Sequence, residues 1–316
     1  MGPLVVVAYP ERIAQAQGGG GFRLRGGGGG LVPSGDALAA SPFLAVARIE
    51  PGVRGPVVRL AAHLSAAEVE AAVAGQVEEE SVLRWDAEAD DVRVRSERRA
   101  GALVLASSDR APAPGPAVTE VLLDRVRATQ GGILRWTPGA RALQGRLQFL
   151  HGLDPGAWPE VSDAGLLATL DEWLGPLLPG AKGRRDLERI DLAHALLARL
   201  PYGARRDLDA LAPTSFATVD GGNVAIGYES GGPRAEVRVQ RLFGLTEHPT
   251  AVRGAVPVVL ELLSPAGRPI QVTADLPGFW EGSWAEVRKE MAGRYPKHPW
   301  PPDPAATPPP ARRGRR

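Results

Sequence analysis

The stretch that most constrains the fold of this 316-residue chain is residues 111–116, Ala-Pro-Ala-Pro-Gly-Pro. Proline fixes φ and has no amide hydrogen, so neither a helix nor a central strand can continue through so many prolines. The residue pattern also changes here, from short alternating segments before the linker to segments with a helical period after it. The sequence therefore predicts a domain boundary at this linker.

Residues 1–110 read as short strands separated by Gly, Pro and Asp clusters. One helix interrupts them, because Ser65 and Glu68 form a capping box ahead of an apolar stripe. This order suits a small barrel of five or six strands, of which the OB fold is the commonest nucleic-acid-binding example. The predicted strands cover residues 22–25, 43–49, 57–61, 81–85, 92–94 and 102–106.

A central helical segment, residues 117–212, is predicted after the linker, because apolar residues recur there at helical spacing. Thr137 before Pro138 supplies an N-cap and a first-turn proline for one of these helices. The apolar stripes indicate helices that face a core. The predicted helices cover residues 117–130, 138–153, 162–178, 186–200 and 204–211.

Residues 213–304 are predicted to form an antiparallel, β-rich C-terminal domain that ends in a helix. Turn residues at 265–269 predict a hairpin between strands 256–263 and 270–273. Ser283 and Glu286 predict a capping box for the last helix.

The remaining residues, 305–316, are predicted to be a disordered basic tail, because prolines and arginines cannot bury enough apolar surface to order themselves. The expected fold class is α+β, multidomain: an N-terminal OB-like small β-barrel, a central helical segment and the β-rich C-terminal domain.

Composition and hydropathy bear on the cellular location of the protein. No apolar run approaches the ~20 residues of a membrane-spanning helix, so we expect no membrane association and a cytoplasmic protein. The chain has no cysteine, which excludes disulfides and thiolate metal sites. The formal net charge is only +1, but from Arg234 onward 13 Lys or Arg residues stand against 8 Asp or Glu, so the C-terminal part is basic.

No self-contained active site is visible. The glycine-rich residues 18–30 lack the lysine and Ser/Thr of a Walker A loop and are better explained as a hairpin loop. Residues 171–174, Asp-Glu-Trp-Leu, begin like a magnesium-binding motif but lie in a helical stripe. The five histidines are scattered singly. We therefore predict no catalytic residue, no metal ligand and no cofactor in this chain.

Several segments nevertheless resemble a known family. Residues 263–304, LSPAGRPIQVTADLPGFWEGSWAEVRKEMAGRYPKHPWPPDP, are similar to the C-terminal signature of HrpB-type bacterial ATP-dependent helicases of the DEAH/RHA group. Further similar text follows the family order at 8–14, 153–178 and 208–216, so the resemblance covers essentially the whole chain. Proteins of this family begin with two RecA-like motor domains, and no counterpart of those domains is present here.

The resemblance implies that ATP and Mg²⁺ belong to the full-length family, and that this chain alone is not an ATPase. It also implies an OB-like domain that helps to hold single-stranded RNA beside the motor. Such a barrel offers a curved strand face where cations meet phosphates. The candidate contacts are arginines on or beside predicted strands, namely Arg23, Arg25, Arg48 and Arg59.

A second group of candidate contacts lies in the dense segment 283–304. Its cations are expected to contact nucleic acid or the motor domains, while Trp284 and Met291 anchor the helix. The competing interpretation is structural, with the prolines letting the segment wrap the domain and Tyr295 and Trp300 buried against it. We favour contact for the cations and packing for the aromatics. The candidate cations are Arg288, Lys289, Arg294, Lys297 and His298.

Two functions remain open from the sequence. The first is an accessory nucleic-acid-binding region of an HrpB-like helicase, binding single-stranded RNA or DNA, with the motor domains in cis or in trans. The alternative is a protein-interaction module that docks onto a separate motor or another protein, so that the basic edge meets carboxylates.

Overall fold

The computed structural model describes residues 2–53 and 55–310. These form two compact units. The first contains the residues up to 122 together with 180–184, and the second contains 123–179 and the described residues from 185 onward. Both contain helices and strands, so the chain is a mixed α+β protein.

The first unit contains a closed barrel of five strands, as the strand-rich pattern predicts. The strand order is β1-β2-β3-β5-β4, with β3 and β5 parallel and the other pairs antiparallel. Successive side chains of a strand point to opposite faces, so neighbouring residues join different core clusters: Ala14 and Phe22 lie in one cluster and Ile13 in another. The strands are β1 (Ile13–Gly18), β2 (Gly21–Leu24), β3 (Gly29–Leu31), β4 (Phe43–Glu50) and β5 (Val57–Leu64).

A separate antiparallel sheet follows the barrel and consists of β6 (Glu78–Asp86), β7 (Asp91–Ala100) and β8 (Leu103–Arg110). The expectation that these later strands help to build the barrel is wrong. Because β4 pairs directly with β1, the barrel is already closed by residue 64 and has no edge left for them.

Two helices of the first unit contribute to the core outside the barrel. Helix α1 (Gly2–Ala8) supplies Val6, and α2 (Ala66–Ala72) supplies Val69, to a cluster that also contains barrel residues. The predicted capping box of α2 is confirmed, because the Ser65 side chain accepts from the Glu68 amide and the Glu68 carboxylate accepts from the Ser65 amide.

Seven helices lie between the linker and the C-terminal strands. The Thr137 N-cap is confirmed, since its hydroxyl accepts from the Ala140 amide. The predicted helix 162–178 is broken at Thr169, and the predicted helix 186–200 is interrupted before Asp191, which caps a new helix. The helices are α3 (Pro116–Ala128), α4 (Pro138–Leu153), α5 (Asp163–Ala168), α6 (Leu170–Trp173), α7 (Arg184–Glu188), α8 (Leu192–Ala198) and α9 (Ala204–Leu211).

The C-terminal strands form three small sheets. The predicted hairpin is confirmed as the antiparallel pair β14–β15, but β11 pairs with β14 in parallel, so the expectation of a purely antiparallel domain is wrong. The connection through residues 239–258 is long enough to return the chain in the same direction. The strands are β9 (Ser215–Ala217), β10 (Asn223–Ala225), β11 (Arg234–Arg238), β12 (Thr250–Ala251), β13 (Val256–Pro257), β14 (Val259–Leu263) and β15 (Pro269–Thr273).

Two helices, α10 (Leu276–Glu281) and α11 (Trp284–Arg294), follow the strands. The predicted capping box at Ser283 is wrong, because Ser283 has helical φ and ψ and its hydroxyl pairs instead with the Gln271 amide group. None of the described helices combines the length and apolar character needed to cross a bilayer.

The chain after α11 is irregular as far as it is described. The Gly244 amide donates to the Pro304 carbonyl, and the amide of Ala306 and the hydroxyl of Thr307 donate to Asp303. The arginines of the predicted disordered tail, all within 311–316, lie outside the described residues.

Candidate nucleic-acid interface

The four candidate arginines of the barrel do not form one patch. Arg23 on β2 is opposite Gly29, the first residue of β3. On the other side of β3, Val57 of β5 is opposite Leu31, the last residue of β3, and Arg59 lies two residues further along β5. Since β3 separates β2 from β5, the register places Arg23 and Arg59 at opposite ends of this short strand.

Arg48 and Arg59 are both paired with one carboxylate. Glu50 lies 2.5 Å from Arg48 Nη2 and 3.2 Å from Arg59 Nε. Both arginines are exposed, so this shared ion pair contributes little stability. Its consequence is electrostatic, because one carboxylate offsets part of the charge that both guanidinium groups would present to a phosphate.

Arg25 is held by its own unit. Its guanidinium donates to the Pro10 carbonyl at 3.4 Å and to Gln76 Oε1, and its backbone carbonyl accepts from the Ala102 amide. Gly101, with a φ of 59°, packs against the Arg25 carbonyl, and glycine is required because a Cβ at this position would lie 2.5 Å from the carbonyl oxygen. These contacts indicate a structural role for Arg25.

Arg23 is the least engaged of the four. It is exposed, and its side chain has no hydrogen-bond or ion-pair partner in the described part of the chain. It borders a shallow cavity of about 410 Å³ lined largely by backbone of Gly28, Gly29 and Gly30. A Cβ on Gly29 would meet the Phe22 carbonyl at 2.5 Å, so glycine is required there for the strands to approach.

The cations of α11 divide into engaged and free groups. Arg288 Nε donates to the Trp300 carbonyl at 3.0 Å, and Arg294 pairs with Glu290 at 3.2 Å, one turn earlier. Lys289 is exposed and has no partner among the described residues. Arg288 therefore helps to hold the chain after α11, and Lys289 remains available.

The aromatic residues around α11 form a packed cluster that begins with Trp284, which is 1% exposed. The Trp284 ring lies 5.7 Å from Phe243 and 6.0 Å from Trp300, and its Nε1 donates to the Pro301 carbonyl at 2.9 Å. Trp284 and Met291 are thus buried anchors, as predicted. The contacts of Trp300 favour packing over base stacking.

This cluster positions a basic groove of about 770 Å³. Phe243 directly follows the 3-10 turn Val239–Leu242, and Trp300 directly follows the segment with Lys297 and His298, so the cluster holds both walls. We call this the C-terminal groove. Its lining residues are Asp220, Arg238, Gln240, Arg241, Pro265, Lys297, His298, Pro299, Pro309 and Pro310.

Sequence reasoning missed three groove residues, Arg238, Gln240 and Arg241. The available signal was the stretch Arg-Val-Gln-Arg at 238–241, at the end of β11. Nothing in the sequence, however, connects this stretch with Lys297 and His298. The described residues contain no group of three or more His, Asp or Glu side chains arranged to hold a metal ion.

Comparison with known proteins agrees with the family resemblance. Residues 173–304 match the family model described as "ATP-dependent helicase C-terminal". The chain is 35% identical over 315 residues to the ATP-dependent RNA helicase HrpB of Escherichia coli (strain K12). That alignment covers 97% of this chain and 39% of the relative, so the chain spans well under half of the relative's length.

Solved structures lead to the same family. The crystal structure of the E. coli DExH-box NTPase HrpB superposes with a TM-score of 0.60 at 34% identity, covering 98% of this chain and 39% of that one. The E. coli DEAH/RHA helicase HrpB superposes with a TM-score of 0.52 at 32% identity, covering 94% and 38%. Over nearly all of its length, this chain is therefore homologous to the C-terminal region of the HrpB-type helicases of the DEAH/RHA group.

Proposed function

We propose that this chain is an accessory nucleic-acid-binding region of an HrpB-like ATP-dependent RNA helicase. The observation that carries the proposal is the alignment of 97% of the chain with a protein named as an RNA helicase. The barrel supports it, because a closed order of β1-β2-β3-β5-β4 with parallel β3 and β5 is an OB-like arrangement, and OB barrels bind oligonucleotides.

The division of labour follows from what the sequence contains. No Walker A pattern occurs in the 316 residues, so we infer that ATP and Mg²⁺ are bound by RecA-like motor domains, in cis or in trans, rather than by this chain. Its own contribution is to hold single-stranded RNA or DNA through exposed cations such as Arg23, Lys289 and Lys297.

Fluorescence anisotropy with a labelled single-stranded RNA at several salt concentrations tests the proposal. If three to five phosphates are contacted, log K should fall with log salt with a slope of about −2 to −4, at ~0.7 per phosphate for a single strand. An absence of binding at low salt, or binding without salt dependence, would contradict the proposed function.

A second candidate function is docking onto a helicase motor or another protein. One surface favours it: Leu4 and Val7 on α1 are 74% and 84% exposed, and exposed apolar neighbours are typical of interaction sites. A pull-down with separate motor domains tests it. Leu4→Asp with Val7→Asp should abolish capture and leave RNA binding unchanged, and capture at the wild-type level would rule out this surface.

A further inference from the structure

We propose that the C-terminal groove is a binding site for the phosphodiester backbone of a single-stranded nucleic acid, distinct from the barrel. This rests on the proposed function and locates it. The groove gathers Arg238, Arg241, Lys297 and His298 around one cavity. A concave surface in which one sign of charge predominates concentrates the field and attracts ions of the opposite sign.

The cations of the groove are only partly engaged within the protein. Within the described residues, the side chains of Arg238 and Lys297 have no hydrogen-bond or ion-pair partner. Arg241 donates to the Asn223 carbonyl at 3.1 Å, which occupies one of its five N–H groups. Among the described residues outside the groove, many arginines are paired with acids, as in the bridges of Arg98 to Glu70 and of Arg234 to Glu261.

The one carboxylate of the groove lining is already engaged. Asp220 Oδ1 accepts from the Thr218 hydroxyl at 2.5 Å and from the Gly222 amide at 2.9 Å. These bonds shape the turn between β9 and β10, so the carboxylate has a structural task. The negative charge of Asp220 is retained, but Arg238, Arg241 and Lys297 outnumber it, so the balance of formal charge along the groove is positive and favours an anionic ligand.

Gln240 supplies an independent sign of a ligand site. The residue is only 7% exposed, and its Nε2 is buried without a hydrogen-bond partner in the part of the chain that the structure describes. Buried amide donors are nearly always paired, and an unpaired one is costly. Because Gln240 lines the groove, a turn of its amide toward the cavity would let Nε2 donate to an acceptor oxygen bound beside Arg241.

Size and wall chemistry favour a nucleic acid over an acidic peptide. A volume of about 770 Å³ is in the range of ligand-sized pockets and exceeds what one inorganic phosphate fills. The four lining prolines have no amide hydrogen, so they cannot donate to the carbonyl groups of an extended peptide. Their apolar rings can pack against sugars and bases, while the cations contact phosphates.

The test compares two neutralising double variants in the full chain. The groove variant is Arg238→Gln with Lys297→Gln. The matched control is Arg205→Gln with Arg206→Gln, which removes the same charge from exposed positions of α9 in the same unit. Binding is measured by anisotropy with fluorescein-labelled oligo(U) and oligo(dT) across a salt series.

We expect the groove variant to bind about tenfold more weakly at low salt and to lose about 1.4 from the magnitude of the salt slope, two contacts at ~0.7 each. The control should change by less than about twofold, the residual effect of net charge. The single change Lys297→Gln, at an exposed position where folding is not at risk, should weaken binding about threefold.

Photocrosslinking of a 4-thiouridine oligonucleotide gives a second readout, with crosslinks expected in the peptides around 238–241 and 295–300. If the wild type binds RNA and the groove variants bind equally well, the groove proposal is wrong and the proposed function stands. If the wild type binds no nucleic acid, both fail. Groove-dependent binding of poly-glutamate in place of RNA would overturn the choice of ligand.

Discussion

On the barrel, Arg48 and Arg59 share the carboxylate of Glu50, whereas in the C-terminal groove Arg238 and Lys297 have no partner among the described residues. The two regions carry the same kind of side chain, but Arg48 and Arg59 are ion-paired, whereas the two groove cations, like Arg23 of the barrel, have no described acid beside them. Exposed cations on strands are easily matched by an acid on the same strand or the next one. At the end of a strand and in an irregular segment, no such neighbour is built in.

The largest effect is expected when the aromatic cluster that supports the groove is disrupted. Trp284→Ala should lower the free energy of unfolding by about 3–5 kcal/mol, because it empties the centre of the aromatic cluster. Hydrogen exchange should rise in the second unit and stay unchanged in the barrel. Tyr202→Ala, at a fully exposed aromatic, is the control and should change stability by less than about 0.5 kcal/mol. Equal destabilisation by the two variants would contradict this assignment.

One arginine of the second unit is buried, in contrast to the exposed cations of the groove. Arg146 is 8% exposed and donates to the carbonyls of Ala212 at 2.6 Å and Leu208 at 3.3 Å. Arg146→Met should cost about 2–3 kcal/mol, since it removes the side-chain donor of the buried Ala212 carbonyl, whereas the Leu208 carbonyl keeps the Ala212 amide as a partner. Chemical denaturation measures this loss. The exposed Arg205→Met is the matched control, and a loss no larger than in that control would show that the bonds of Arg146 contribute little.

The stability of the second unit should also depend on pH through His248. Its Nδ1 accepts from the Leu276 amide at 3.0 Å, so Nε2 carries the hydrogen and donates to the Val258 carbonyl at 2.8 Å. Burial lowers the pKa of His248. The unfolded chain therefore binds more protons once pH falls below about 6.5, and the free energy of unfolding decreases there.

Thermal unfolding between pH 5 and 8 tests this expectation. The change should be smaller than in the two preceding variants, and it should disappear in His248→Asn, whose side chain does not titrate. If the stability of His248→Asn depends on pH in the same way as that of the wild type, other groups cause the pH dependence.

The smallest expected effect sharpens the comparison directly. Glu50→Gln should free Arg48 and Arg59 and raise low-salt RNA affinity by about two- to fivefold, because two more cations face the solvent unopposed. Glu88→Gln removes one exposed acid of the same unit that has no arginine partner among the described residues, and serves as control. Equal gains in both variants would point to net charge rather than to the shared carboxylate.

Local signals in the sequence predicted local structure well. The Ser65 capping box, the Thr137 N-cap, the helix Ala204–Leu211 and the hairpin across 265–269 are all present. Each depends on residues within a few positions of one another, so neighbouring chemistry determines the outcome. Ser283 shows the limit of such signals, because its backbone is helical and its hydroxyl bonds with the distant Gln271 side chain instead of capping the helix.

Arrangements that depend on distant segments could not be read from the pattern. No local sequence signal indicates that β4 pairs with β1 and closes the barrel before the strands at 78–110. The parallel register of β11 with β14 depends on the path of the connection between them. The groove is the same kind of case, since Arg238 and Lys297 meet only in the folded unit.

The distance in sequence between the two walls of the groove has a thermodynamic consequence. A denatured chain has no such cavity, so a polyanion that occupies it binds the native state alone. By mass action, RNA or heparin at one hundred times its dissociation constant would add about 2.7 kcal/mol to the stability of the unit. Occupancy of the groove would then be visible as a higher melting temperature, without any label on either molecule.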